Sequence, residues 1–336
     1  MLAAMGEFDL IARYFTRPVT RAALGVGDDC ALLRPAPGTQ LAVSSDMLVE
    51  GRHFFADVDP QALGHKALAV NLSDLAACGA RPLAFTLALA LPRVDEAWLQ
   101  GFSDGLFKLA DAHGCELIGG DTTQGPLNIC ITVFGEVPVV GGHSQALLRS
   151  GAQTGDDLYV SGTLGDARLA LEALRGRLSV PDSVLAAARL RLEQPSPRVA
   201  LGLALRGVAT SAIDVSDGLL GDLGHILKQS GRGATVDTEI AIKLIANKSM
   251  DTCGNGSFYP EIEPEAWLGW VLGGGDDYEL LFTAPAAARA AVAAAAQGSQ
   301  TVVTRIGQID AECGLRLVDG QGRAVANPYT SFDHFA

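Results

Sequence analysis

The sequence lacks the features of a membrane-spanning or disulfide-bonded protein. Its longest strongly apolar run, residues 83–91, has nine residues, whereas a membrane helix needs about 20. The six cysteines are scattered and form no C-x-x-C pair, which argues against a zinc site or a redox dithiol. The N-terminus, MLAAMGEFDLIARYF, carries acidic residues and lacks the apolar core of a signal peptide. Scattered free thiols are typical of a reducing compartment, so we expect a cytoplasmic protein.

Basic residues and the common nucleotide-binding motifs are also scarce. The chain has 25 Lys and Arg against 38 Asp and Glu, a net charge of −13, which argues against binding to nucleic acid or to an anionic membrane. It has no G-x-x-x-x-G-K-S/T loop, no G-x-G-x-x-G followed by an acidic residue about 20 positions later, and neither H-R-D nor D-F-G. There is no Ser-His-Asp arrangement, and His53 and His65 are isolated, so we assign neither as a general base.

Apolar periodicity alternates between strand and helix patterns, which predicts two α+β domains with a cleft between them. A chain of 336 residues that is 48% hydrophobic is long enough for about two domains. Pro138, Gly141 and Gly142 interrupt the pattern, and we predict domains at 1–145 and 146–336. The predicted strands are 41–44, 85–91, 116–118, 127–137, 157–161, 213–215 and 278–283, and the predicted helices are 61–78, 96–113, 166–174, 218–230 and 284–296.

Aspartates recur in six short motifs. These are Gly27-Asp28-Asp29, Ser44-Ser45-Asp46, Asn71-Leu72-Ser73-Asp74, Gly119-Gly120-Asp121, Asp214-Val215-Ser216-Asp217-Gly218 and Gly273-Gly274-Gly275-Asp276-Asp277. Each aspartate taken alone is more often a cap or turn residue than a ligand. The recurrence favours a shared site, because open α/β folds place their sites at strand ends and because glycine lets backbone approach a ligand closely.

Converging carboxylates need to be neutralised. Two unit charges 4 Å apart repel by roughly 4 kcal/mol at an effective dielectric of 20. Mg²⁺ takes oxygen ligands and is commonly shared between one or two carboxylates and the phosphates of a substrate. Cys and His are not at ligand spacing, which argues against zinc or copper. The sequence therefore favours a magnesium-dependent site for anionic, phosphate-bearing substrates. A phosphoryl transferase of this kind would hold ATP mainly through metals and glycine-rich backbone, with Arg149 either as a guanidinium clamp or as an ordinary surface residue.

Eight segments of the chain resemble the thiamine-monophosphate kinase family. In chain order they are GVGDDCALL, AVSSDMLVEGRHF, KALAVNLSDLAACGARP, LIGGDTT, LLRSGAQTGD, AIDVSDGL, GGGDDYEL and SFDHF. The wider superfamily resembles aminoimidazole ribonucleotide synthetase and includes selenophosphate synthetase and a hydrogenase maturation factor. The resemblance implies an α/β (α+β) fold of two synthetase-like domains. The N-terminal sheet would form a barrel at a homodimer interface, and the C-terminal domain would be α/β.

The resemblance also implies roles for individual residues. Positions that hold magnesium ions are matched by Asp29, Ser44, Ser45, Asp46, Asp74, Asp121, Asp214 and Asp217. The positions of the family's ATP site correspond here to Gly120, Asp121, Arg149 and Ser216. The positions that contact the thiamine phosphate correspond to His53, Asp276 and Tyr329. Asp46, Asp74 and Asp121 would anchor the metals between the nucleotide and the incoming phosphate, and Asp28 neighbours them.

Three residues depart from the family pattern. Asp276 stands where the family usually has a glutamate, so its carboxylate reaches about one methylene less far. Tyr329 replaces an aromatic that is often Trp, and His113 replaces a tyrosine found near the adenine in many members. The segment 238–265 matches the family poorly and receives no assignment.

The implied reaction is transfer of the γ-phosphate of ATP to thiamine monophosphate. The acceptor phosphate has its second pKa near 6, so it is already ionised and no general base is required. Two other kinds of protein remain as alternatives: a non-catalytic metal or nucleotide sensor, and a structural dimer whose aspartates are caps. Cys30 lies within the GDDC motif, and the chain ends DHFA, which separates it from the selenophosphate and hydrogenase-maturation branches.

Overall fold

The chain folds into two compact units in this computed structural model, which describes residues 6–245 and 263–330. One unit holds the described residues up to Leu75 together with Ala80–Ala146, and the other holds Ala76–Gly79 and the described residues from Leu147 onward. Within these ranges, no helix combines the length and the apolar character needed to cross a membrane. The C-terminal SFDHF segment and residues 246–262 of the unassigned segment lie outside the described residues.

The first unit is built around a twisted sheet. Its strands are β1 (Ala22–Leu24), β2 (Leu32–Leu33), β3 (Thr39–Val49), β4 (Arg81–Leu91), β5 (Glu116–Gln124), β6 (Asn128–Val140) and β7 (His143–Ser144). The main sheet has the order β3-β6-β4-β5, with β7 paired to β6, and β1 and β2 form a separate antiparallel pair. Of these pairs, β4–β5 is parallel, and β3–β6 and β4–β6 are antiparallel.

Helices cover one face of this sheet. They are α1 (Glu7–Leu10), continued by a π-helical turn at Ile11–Phe15, then α2 (Pro60–Ala77) and α3 (Glu96–His113). On β6, Ile129, Ile131 and Val133 are fully buried, whereas the alternate residues between them are partly exposed. This period-2 pattern places the core on one face of the sheet and leaves the other face largely uncovered.

Two glycines set the distance between α2 and α3. A Cβ atom on Gly64 would lie 2.0 Å from the carbonyl oxygen of Phe102, and one on Gly105 would lie 1.9 Å from the carbonyl oxygen of Gln61. The two backbones therefore touch at points where only glycine fits. Asp95 caps the start of α3 by accepting a hydrogen bond from Trp98 N, and Gly114 ends the helix in the left-handed conformation.

The second unit contains a seven-stranded sheet. Its strands are β8 (Asp157–Ser161), β9 (Ser211–Val215), β10 (Gly233–Asp237), β11 (Glu279–Ala284), β12 (Val303–Asp310), β13 (Gly314–Val318) and β14 (Ala324–Val325). Their order is β14-β13-β10-β12-β8-β11-β9, and only β10–β13 is parallel. Every residue of β8, β9 and β11 is buried, so these strands are covered on both faces.

The helices of the second unit pack around those central strands. They are α4 (Asp166–Leu174), α5 (Asp182–Glu193), α6 (Val199–Leu205), α7 (Leu219–Ser230), α8 (Thr238–Ala241), α9 (Pro264–Gly273) and α10 (Arg289–Gly298), with 3₁₀ turns at Ile242–Leu244 and Ala286–Ala288. One apolar cluster joins the strands to α4, α5, α7 and α9, and the fully buried Trp267 belongs to it.

Several element predictions were confirmed, and others were wrong where pairing across the sheet decides the bounds. The structure has α3, α4 and β8 at the predicted bounds, and α7 ends at Gly231 as expected. Four predicted strands are too short: 41–44 lies within β3, 85–91 within β4, 116–118 within β5 and 213–215 within β9. Continuous pairing with β6 and β4 extends β3 and β5, respectively, so the serine and glycine motifs lie inside strands rather than at strand ends.

The alanine-rich helix was also misplaced. Ala284 is buried in β11, and the α-helix begins at Arg289 after Pro285 and a 3₁₀ turn. Pairing of Ala284 with Asp157 of β8 overrides the helix propensity of alanine at the start of this segment.

Replacing Gly105 by alanine tests the close contact of α2 and α3. We expect Gly105→Ala to lower the free energy of unfolding by about 3 kcal/mol, because the added methyl group must push two backbones apart. Urea denaturation followed by circular dichroism measures the change. Gly224 in α7 is the matched control: a Cβ there would meet nothing within 4 Å, so Gly224→Ala raises stability by up to about 1 kcal/mol. Equal stability of Gly105→Ala and the unmutated protein would contradict this packing.

Candidate active site

Strand β3 and the last turns of α2 bring three of the predicted metal ligands together. Ser44 Oγ donates a hydrogen bond to Asp74 Oδ2 at 2.5 Å. Asp46 N donates to Asn71 Oδ1 at 3.1 Å, and the buried Asn71 in turn donates from Nδ2 to the carbonyl oxygen of Ala67. Ser44 and Asp46 share a face of the strand because side chains alternate along it. Asn71 and Asp74 share a face of the helix because they are three residues apart.

Ser45 lies on the other face of β3. Its Oγ is 2.9 Å from Thr132 Oγ1 and donates to the carbonyl oxygen of Ile131 at 3.2 Å. Its side chain therefore points away from the face that carries Ser44 and Asp46, and the assignment of Ser45 as a metal ligand stays a prediction.

A cavity of about 620 Å³ lies at strand β5, on the edge of the same sheet. Its polar side is formed by the acidic and glycine motifs, and its apolar side by the N-terminal helical segment together with two aliphatic side chains outside it. The polar side includes Asp28, Asp29, Gly119, Gly120 and Asp121, and the apolar side includes Phe8, Ile11, Phe15, Val26 and Leu117. The structure thus brings together Asp29 with Gly120 and Asp121, from two separate parts of the sequence.

Gly120 is required where the cavity meets the sheet. Its φ is 146°, and a Cβ atom there would lie 1.8 Å from the carbonyl oxygen of Leu87. Phe8, Ile11 and Phe15 carry no known motif, and the sequence analysis did not assign them. Their i, i+3, i+7 spacing, which puts them on one side of a helix, is the signal that predicts such a surface.

The aspartates of the first unit form two groups rather than one. Asp46 is in register with Ile131 of β6, whereas Asp121 is in register with Ala88 of β4, which pairs with Cys130. Ile131 and Cys130 are adjacent, so the two rows face opposite sides of the sheet. Strands β3 and β5 are three strand spacings apart, about 14 Å. Across the described residues, no group of three or more His, Cys, Asp or Glu side chains is close enough to hold a metal ion.

In the second unit, two loops next to each other carry the remaining motifs. Asp214 lies near the end of β9, the loop that follows holds Ser216 and Asp217, and the loop that precedes β11 holds Asp276. Asp276 N donates to the carbonyl oxygen of Ser216 at 2.8 Å. A Cβ atom on Gly275 would lie 2.4 Å from that same oxygen, which explains the glycine. The loops meet because β9 and β11 are paired neighbours.

Asp222 in α7 supports the first of these loops and was missed from the sequence. Its Oδ2 accepts hydrogen bonds from Ser216 N at 3.1 Å and Asp217 N at 3.2 Å. Burial raises the pKa of Asp222 to about 7, while the hydrogen bonds from these backbone groups oppose that rise. An acidic residue in the first turn of a helix, shortly after a predicted ligand loop, is the signal that points to such a support.

The predicted substrate contacts lie in both units. His53 Nδ1 accepts a hydrogen bond from Val49 N at 2.9 Å. The Tyr329 ring packs against α9, where a Cβ atom on Gly269 would lie 3.5 Å from it, and burial together with the charge of Glu265 raises the pKa of Tyr329. Arg149 is exposed, and its carbonyl oxygen accepts a hydrogen bond from Ser230 Oγ.

His113, at the end of α3, stands where the family often has tyrosine. Burial lowers the pKa of His113, and the nearby His65 lowers it further. Its imidazole is therefore held in the neutral form at neutral pH.

Family models cover most of the chain. Residues 27–137 match the N-terminal domain of AIR synthase related proteins, and residues 153–320 match the C-terminal domain. The thiamine-monophosphate kinase of Escherichia coli K12 is 47% identical over 99% of both chains.

Solved structures agree with this relationship. A thiamine-monophosphate kinase from Stenotrophomonas maltophilia K279a is 44% identical and superposes with a TM-score of 0.80, covering 94% of this chain and 95% of that one. AaThiL complexed with AMPPCP and TMP is 27% identical, with a TM-score of 0.73 over 90% of this chain and 89% of that one. The chain therefore belongs to the AIR synthase related proteins and, among them, to the thiamine-monophosphate kinase family.

Proposed function

We propose that this chain transfers the γ-phosphate of ATP to thiamine monophosphate and so makes thiamine diphosphate. The observation that carries the proposal is the 47% identity to the Escherichia coli kinase over essentially the full length of both chains. The structure of AaThiL with AMPPCP, an ATP analogue, and TMP supports the same pair of substrates. The domain that supplies dimerisation, metal and ATP groups is residues 1–145, and residues 146–336 form the second domain.

The residues present suit several magnesium ions. The proposed ligands are oxygen donors from carboxylates and hydroxyls, as Mg²⁺ prefers, and one or two of them at each ion leave positions for water and phosphate oxygens. The proposed set is Asp29, Ser44, Ser45, Asp46, Asp74, Asp121, Asp214 and Asp217. When bound, Mg²⁺ neutralises charge on the reacting phosphates, which is the main requirement of phosphoryl transfer. The separation of Asp46 from Asp121 fits more than one ion, each with few protein ligands.

The cavity at β5 suits the nucleotide. Its volume, about 620 Å³, lies within the usual range for ligand pockets of about 300–1,000 Å³. The apolar side around Phe8 and Ile11 suits the adenine ring, and the glycine backbone at Gly120 and the carboxylate of Asp121 suit metal-bound phosphates. Ser216 and Arg149 complete the proposed ATP contacts.

The chain's own residues orient the acceptor rather than deprotonate it. A phosphate monoester is largely ionised at neutral pH, since its second pKa is near 6, so its oxygen attacks the γ-phosphorus directly and in line. The bond between the γ-phosphorus and the oxygen that bridges it to the β-phosphorus breaks, and ADP leaves. Because Val49 N donates to His53 Nδ1, the neutral imidazole carries its proton on Nε2. His53 is then a hydrogen-bond donor to the anionic substrate and not a base. Asp276 and Tyr329 complete the contacts to the thiamine phosphate.

The uncovered face of the first sheet suits a homodimer. Leu41, Val43 and Met47 alternate along β3 on this face, and each is roughly half exposed or more. Pairing of this face with a second copy buries them and forms the barrel that the family resemblance implies. Asp121 lies on this same face, whereas Asp46 lies on the opposite face, toward α2.

The reaction takes place in the cytoplasm in this proposal. The five described cysteines, Cys30, Cys78, Cys115, Cys130 and Cys313, are free thiols, as expected in a reducing compartment.

Asp46→Asn tests the role of the metal ligands. The purified protein with Mg-ATP and thiamine monophosphate should release thiamine diphosphate, detected by chromatography, whereas plain thiamine should give no product. Asp46→Asn keeps the shape but loses the charge, and we expect kcat to fall by at least about 10³-fold. Asp104→Asn, an exposed aspartate on α3 bonded to Gln100, is the control and keeps full activity. Near-normal kcat of Asp46→Asn at saturating magnesium would refute the metal role, and no turnover by the unmutated protein would favour a sensor or a structural dimer.

A further inference from the structure

Two residues beside the proposed substrate site have a backbone conformation that is unusual for their type. Asp276 has φ 67° and Tyr278 has φ 51°, and neither is glycine. Side chains disfavour this left-handed region, so the surrounding structure has to hold both residues in it. We call residues 276–278 the Asp277 loop, because Asp277 lies between the two.

Main-chain hydrogen bonds fix the two ends of the Asp277 loop. Asp276 N donates to the carbonyl oxygen of Ser216, and Tyr278 N donates to the carbonyl oxygen of Val215, both at 2.8 Å. These bonds tie the loop to the end of β9. They do not set the orientation of the segment between them, which carries Asp277.

The side chain of Asp277 fixes that middle segment from inside the protein. It is fully buried, and its Oδ2 accepts a hydrogen bond from Gly165 N at 2.8 Å. Gly165 is the residue before α4 and is itself left-handed, with φ 84°. The second carboxyl oxygen, Oδ1, is buried and has no hydrogen-bond partner among the described residues. Burial raises the pKa of Asp277 well above its usual range.

Arg191 and Glu279 hold the same loop from α5 and β11. Arg191 Nη2 donates to Glu279 Oε1 at 2.7 Å and approaches the carbonyl oxygen of Asp277 at 3.4 Å. Glu279 is completely buried and also accepts two hydrogen bonds from Arg198, at 2.5 and 2.6 Å. The Asp277 loop therefore packs against a buried cluster of oppositely charged side chains.

We infer that Asp277 is a positioning residue: its bond to Gly165 keeps the strained loop in place and so aims the neighbouring Asp276 at the thiamine phosphate. This inference rests on the proposed function, in which Asp276 contacts that substrate. Strained backbone persists only where its surroundings enforce it, and it is concentrated at ligand sites. Without the Gly165 bond, residues 276–278 relax toward ordinary backbone angles and the Asp276 carboxylate moves away.

A double-mutant cycle distinguishes positioning from simple structural support. Asp277→Ala, Asp276→Ala and the double variant are compared with the unmutated protein by the KM for thiamine monophosphate, the KM for ATP and kcat. We expect Asp277→Ala to raise the KM for thiamine monophosphate by about tenfold, with the KM for ATP changed by less than about twofold. The double variant should match Asp276→Ala alone, because Asp277 acts through Asp276.

Two further variants serve as rescue and control. Asp277→Asn keeps the size and shape of the side chain and retains an acceptor for Gly165 N, so it should stay within about threefold of the unmutated KM. Thr283→Val deletes a buried hydroxyl at the other end of β11, where Thr283 bonds to Thr210 and Ser211. It should lower the unfolding temperature without changing either KM. If Asp277→Ala does not fold, Asp277→Ser takes its place in the cycle.

Each outcome bears on a separate claim. Additive effects of the two alanine substitutions, or an equal shift of KM in Thr283→Val, would overturn the positioning role while leaving the kinase activity in place. An unchanged KM in Asp276→Ala would also overturn it, because Asp277 would have no substrate contact to aim. Failure of the unmutated protein to make thiamine diphosphate would overturn the proposed function itself, together with this inference.

Discussion

Repulsion between carboxylates is the constraint on which the arrangement of the proposed site depends. Two like unit charges 4 Å apart repel each other by roughly 4 kcal/mol at an effective dielectric of 20. The chain limits this repulsion by dividing its aspartates: Asp74 accepts a hydrogen bond from Ser44 on one face of the sheet, and Asp121 lies in a cavity at the sheet edge. The negative charge that these aspartates retain is the reason to expect magnesium and phosphate there.

Backbone geometry places these groups as much as side chains do. Gly120 allows β5 to approach β4 where any Cβ would collide, and Gly275 allows the two ligand loops of the second unit to meet. At Asp276 and Tyr278 no glycine relieves the left-handed conformation, and buried hydrogen bonds hold it instead. The positions of the proposed ligands thus depend on backbone contacts and buried hydrogen bonds of the residues next to them.

Local signals predicted some elements well because their ends are chemically marked. Helix α3 has Asp95 as an N-terminal cap and Gly114 as a left-handed end, and the prediction of 96–113 was confirmed. Strands β3 and β5 were predicted too short because eleven and eight paired positions, respectively, are decided by neighbouring strands that sequence spacing does not show. The acidic motifs were found from sequence, but their division between two faces of one sheet depends on the register of that pairing. Asp222 and Asp277 were missed as supports, since a buried aspartate behind a loop looks like any other acid in the sequence.

The central claim is that this acidic chain binds a polyphosphate because magnesium compensates its carboxylates. Calorimetric titration of the unmutated protein with AMPPCP, once with excess Mg²⁺ and once with EDTA, tests it directly. The account predicts saturable binding with Mg²⁺ and a loss of at least about 100-fold in affinity, about 2.7 kcal/mol, in EDTA. Equal affinity in the two titrations would contradict it.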